Sequence, residues 1–153
     1  MSIYLLLVWG DIMSEKYKDV TSPQENTQTI QEIASRNFSK WNSALQTRNL
    51  KEVAALYFTD ATFLPTTSGE FKKGQKGAEE YFKHFLKKNP TGKIIKEEVQ
   101  AFRADCYLHC GMYNFEIGPG DDRQVVEARF SFVWKKNAQG EWKIVHHHSS
   151  AKP

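Results

Sequence analysis

The stretches QVVEARFSFVWKK (residues 124–136) and EWKIVHHHSS (141–150), joined by NAQG (137–140), carry the strongest β-periodicity of the chain. In the first, Val126, Ala128, Phe130, Phe132 and Trp134 alternate with Val125, Glu127, Arg129, Ser131 and Val133, which predicts a strand with one apolar face and one bearing a charged pair. The Asn-Ala-Gln-Gly connection has hairpin chemistry, so the two runs are expected to pair antiparallel. By the same alternation His146 and His148 share a face with Trp142 and Ile144, and His147 lies with Val145 and Ser149.

Upstream of this hairpin the pattern gives two further strands, at about 93–103 and 105–117. Before them the period becomes helical. Thr29-Ile30-Gln31-Glu32 has the capping-box form, and Ile30, Ile33, Ala34, Trp41, Ala44 and Leu45 recur at helical spacing. A short second helix is read from Leu50, Val53, Ala54, Leu56 and Tyr57, then a β-like run from Ala61 to Leu64 that Pro65 stops. Gly69 and Gly74 flank a connection, and Ala78, Tyr81, Phe82, Phe85 and Leu86 mark a third helix that ends near Asn89-Pro90. Helices first and an antiparallel meander last predict an α+β fold, with three helices packed on one face of a bent antiparallel sheet.

A chain of 153 residues with 40% hydrophobic content supports one globular domain, assigned to residues 27–153. The net charge of +3 is spread over separated lysine pairs, which reads as solvated surface with nucleic acid the weaker alternative, so no nucleic-acid partner is expected. Cys106 and Cys110 would stand roughly 13 Å apart along one strand, beyond disulfide reach, so reduced thiols and a cytoplasmic location are expected. The apolar run Ile3 to Trp9 is too short to span a bilayer and lacks a preceding basic residue, so no membrane association is expected. Residues 1–12 read either as sequence upstream of a start at Met13 or as a docking segment, and residues 14–26 as a polar, flexible stretch.

The residues Trp41, Leu45, Tyr57, Ala61-Thr62-Phe63-Leu64-Pro65, Gly74, Tyr81-Phe82, Glu127-Ala128-Arg129, Gly140 to Ser150 and Pro153 resemble the association domain of calcium/calmodulin-dependent protein kinase II and its stand-alone bacterial relatives. The resemblance runs from about Ile30 to Pro153 and implies the cone-shaped nuclear transport factor 2-like fold. It further implies self-association, as a dimer at least and up to a larger ring, and a ligand pocket inside the cone that uses arginines. Of those arginines Arg129 is retained, Gly111 replaces another, and Ser149 stands where the kinase hub has an arginine. Ser149 is closer to the bacterial branch, whose members often carry an oxidoreductase label. The chain has no glycine-rich phosphate loop with a strand lysine, no His-Arg-Asp loop and no Asp-Phe-Gly, so no kinase activity is expected. A dinucleotide fingerprint is also absent, and no cofactor is expected.

Arg129 and Glu127 read either as an anion site with Glu127 orienting the guanidinium, or as a structural ion pair that satisfies itself. The resemblance implies that the face bearing Arg129 and Ser149 lines the cavity, with His147 inside. Trp41, Tyr57 and Tyr81 are the aromatic candidates beside the ligand, although aromatics more often fill cores. Acid–base candidates for an enzymatic alternative, of isomerase, dehydratase or oxidoreductase type, are His147 and Glu127, with Tyr113 as a hydrogen-bond donor. No metal is expected, because adjacent imidazoles in a strand point to opposite faces. If all three helices cover the cavity side, Phe130, Phe132 and Trp134 are left for a subunit interface.

Overall fold

The computed structural model describes residues 28–153, and the readings for residues 1–26 lie outside the described residues. The chain runs α1 (Ile30–Thr47), α2 (Leu50–Ala54), β1 (Tyr57–Leu64), β2 (Lys72–Lys73), α3 (Gly74–Phe85), a 3-10 turn (Leu86–Lys88), β3 (Thr91–Arg103), β4 (Cys106–Ile117), β5 (Gln124–Lys136) and β6 (Trp142–Ala151). The helix starts where the sequence places its cap: Thr29 accepts from the Glu32 backbone N–H at 3.2 Å, and Glu32 accepts from the Thr29 N–H at 2.9 Å. α2 stops at Ala54, and Tyr57 opens β1 instead of continuing the helix.

The six strands form one sheet in the order β2-β1-β6-β5-β4-β3. Pairing is antiparallel except where β1 lies parallel to β6, a consequence of the α3 and β3–β5 excursion between them. Two glycines permit close backbone approaches at this sheet. Gly74 has φ +66° and its missing Cβ would meet Thr59 O at 2.3 Å; a Cβ on Gly111 would meet Lys96 O at 2.0 Å, where β3 carries a bulge against β4.

The core lies between the helices and the inner face of this sheet. Trp41 of α1 is 1% exposed and packs edge-on against Phe132 at 5.2 Å, His147 at 5.6 Å and Phe115 at 6.2 Å. Asn42 ties α1 to β3 through two reciprocal bonds with the Gly92 backbone, of 2.9 and 2.8 Å. Phe130, Phe132 and Trp134 are 3%, 0% and 1% exposed, so the face expected at a subunit interface is the core. The correction is thermodynamic. Covering an aromatic face with the chain's own helices removes it from water at once, whereas turning Glu127 and Arg129 inward would strip two charges of solvent.

Candidate functional site

Which side chains of β6 face inward is decided by a bulge. Trp134 pairs with Ile144 but Val133 pairs with His146, so one extra residue, Val145, is absorbed. Ile144, His147 and Ser149 therefore all face the core, and His146, His148 and Ser150 face outward; simple alternation had put Ile144 with His146. Arg129 pairs with Ser150, whereas Ser149 pairs with Phe130, so Arg129 and Ser149 lie on opposite faces. Arg129 is exposed and its Nε donates to Ser150 Oγ at 3.2 Å. Glu127 is also exposed and accepts from Lys152 Nζ at 3.2 Å instead of pairing with Arg129. Neither residue reaches the cone's interior.

Inside the cone, Trp41, Phe63, Phe82, Phe85 and Phe115 enclose a cavity of about 10 Å³ that is also lined by Thr66, Tyr81, Tyr113, His147 and Ser149. That is room for about one water. Thr66, Phe85 and Phe115 also line a second, adjoining cavity of about 40 Å³ together with Thr67, Lys88, Ile117 and Val126. The sequence reading had named Tyr81, Tyr113, His147, Ser149 and Trp41 for this region. Periodicity marks neither Thr66, just past the end of β1, nor Lys88, the last residue of the 3-10 turn.

His147 is held on three sides. It stacks between Phe63 (4.7 Å, 11°) and Phe132 (4.1 Å, 24°), and its Nδ1 lies 2.9 Å from Tyr57 Oη. Tyr57 does not line the cavity but sets the proton on His147. Trp41 Nε1 donates to Tyr57 Oη at 3.2 Å, so the buried hydroxyl's own proton must go to His147 Nδ1 or lack an acceptor. Neutral imidazole then carries its proton on Nε2, an assignment made from this network. Burial, with His146 and His148 adding to it, pushes the His147 pKa well below its usual value, so the ring is neutral at pH 7. Nε2 is buried and has no protein partner. A second polar chain runs from Tyr113 Oη to Ser149 Oγ to Thr66 Oγ1. Burial raises the Tyr113 and Tyr81 pKa values, so both stay protonated donors.

Among the described residues no group of three or more His, Cys, Asp or Glu side chains is placed to hold a metal, and no helix is long and apolar enough to cross a membrane.

The family described as the calcium/calmodulin dependent protein kinase II association domain matches residues 29–153. A solved association-domain structure of this kind from Xanthomonas campestris is 37% identical, with a TM-score of 0.76, over 80% of this chain and 87% of that one. The hub homology domain of the kinase from the alga Chlamydomonas reinhardtii superposes with a TM-score of 0.68 at 17% identity, over 82% of this chain and 100% of that one. A nuclear transport factor 2-like protein of unknown function from Pseudomonas putida gives 0.65 at 20% identity, over 78% and 84%. No curated protein matches the chain. The last two likenesses show the nuclear transport factor 2-like fold, and the match over residues 29–153 shows more: the chain belongs to the calcium/calmodulin dependent protein kinase II association domain family.

Proposed function

We propose that this protein is a non-catalytic, self-assembling association domain that joins copies through the outer face of its sheet and holds a small polar ligand in its cone. The observation that carries the first part is the outer face itself. Leu108, Cys110 and Met112 of β4 and Val133 of β5 form a half-buried, uncharged strip on the outer face, bordered by the exposed Arg129 of β5 and Lys96 and Glu98 of β3, while the helices occupy the opposite face. A second copy on this face would remove it from water, and a two-fold arrangement makes the patch its own partner. The family's name and the hub homology of the Chlamydomonas relative support the reading. The test is the mass of the untagged chain under native conditions, with and without a charge placed at Val133.

The ligand reading rests on His147, Tyr113, Ser149 and Tyr81, with Trp41 as wall and Arg129 outside. Because Nε2 of neutral His147 presents a proton, it suits an acceptor oxygen, from a carbonyl, a carboxylate or water. The cavity as packed takes one water-sized group, so anything larger enters by displacing a lining ring such as Tyr81 or Phe85. The enzymatic alternative is favoured by the same atom: a neutral, oriented imidazole proton can polarise a substrate carbonyl. It is disfavoured as a general base, since Nε2 has no free lone pair in this tautomer. Turnover of small ketones by the wild type and its loss in His147→Phe would establish the alternative; absence of turnover leaves the association domain.

A further inference from the structure

The outer face of β6 holds two histidines that neither the core nor the cone uses. His146 and His148 stand two residues apart on the same side of one strand, about 6.6 Å along it. Their cross-strand neighbours on β5 are Val133 and Ser131, and on β1 Thr62 and Leu64. His146 is part-buried and His148 exposed. Thr62 Oγ1 lies 2.7 Å from His146 Nδ1, a bond that fixes the ring and leaves Nε2 as the outward nitrogen. This is the orienting contact that metal-bound imidazoles make with their other nitrogen.

We propose that His146 and His148 together form a surface site for a borderline divalent transition ion, zinc or copper. Two imidazoles on one strand face can close on a single ion, each nitrogen at about 2.0–2.1 Å for zinc. Nitrogen donors with no carboxylate among these cross-strand neighbours select such ions over magnesium or calcium. The site is distinct from the cone, because His147 between the two points to the opposite face. It also differs from the adjacent-histidine arrangement that the sequence excluded, since here it is the second neighbour that shares the face. Arg129 and Lys135, the next outward residues along β5, flank the pair and weaken an ion's binding, although Arg129 is anchored to Ser150. One chain supplies two ligands, so the remaining positions fall to water or to the same pair of a second copy. The ion site does not require assembly: one ion per chain indicates water, and one ion per two chains indicates a bridging pair.

Zinc chloride is titrated into the untagged full chain by calorimetry, alongside His146→Ala, His148→Ala and a His84→Ala control on α3. Saturable binding at one ion per chain or per two chains, weakened at least tenfold in both outward variants and unchanged in the control, supports the site. No saturable binding by the wild type, or binding by His146→Ala or His148→Ala as tight as the wild type's, overturns it. Both substitutions lie outside the core, and circular dichroism on each confirms that the fold is intact. Native mass measured without zinc reports assembly separately, so failure of the ion site and failure of the association reading are distinguishable.

Discussion

Phe132 and His147 are register partners on β5 and β6, with rings stacked 4.1 Å apart at 24° on the inner face of the sheet. This contact fixes which side of the terminal hairpin is core. Phe132→Ala removes a fully buried ring between His147 and Trp41 and is expected to cost about 3–5 kcal/mol in urea unfolding. Arg129→Ala, on the outer face, is expected to change stability by no more than about 0.5 kcal/mol. Equal effects would contradict the assignment of faces.

Tyr57→Phe leaves both Trp41 Nε1 and His147 Nδ1 without their buried partner. The expected loss is about 1–3 kcal/mol. Nitrogen-15 shifts of His147 in the wild type should report the proton on Nε2, and in Tyr57→Phe a redistribution between the two nitrogens. A wild-type spectrum with the proton on Nδ1 would contradict the tautomer.

Stability is expected to fall on acidification from about pH 6.5 downward. Burial lowers the pKa of both His147 and His109 in the folded protein, so below the unfolded value of about 6.5 the unfolded chain binds more protons. Each group adds a slope of up to about 1.4 kcal/mol per pH unit until its folded pKa is reached, with Glu97 at 2.6 Å offsetting part of the His109 contribution. His147→Phe should flatten the profile between pH 6.5 and 5; an unchanged slope would show that His147 is not buried neutral.

Gly111→Ala should destabilise the β3–β4 pair by more than about 2 kcal/mol, because the new Cβ meets backbone, Lys96 O, which no rotamer change can move. Denaturant unfolding measures it.

The extents of β3 to β6, the first helix and its cap were legible because strand and helix periods are strong in those segments. Alternation does not say which face is inside, however. The choice depends on where the helices pack, and the sequence reading let the family's arginine pocket outweigh the plain apolar face of Phe130, Phe132 and Trp134. The bulge at Val145 was invisible for a related reason: an extra residue shifts every later side chain by one face, and nothing in Ile-Val-His-His marks it. Of the ligand and acid–base candidates, His147, Ser149, Tyr113 and Tyr81 lie in the interior, whereas Glu127 and Arg129 lie on the surface.

Assembly through the outer sheet face is tested most directly by native mass spectrometry of the untagged wild type and of Val133→Glu, at equal concentration and without added metal. The account predicts a wild type of at least two subunits and a folded, monomeric variant. A monomeric wild type, or a variant with the wild-type mass, would contradict it.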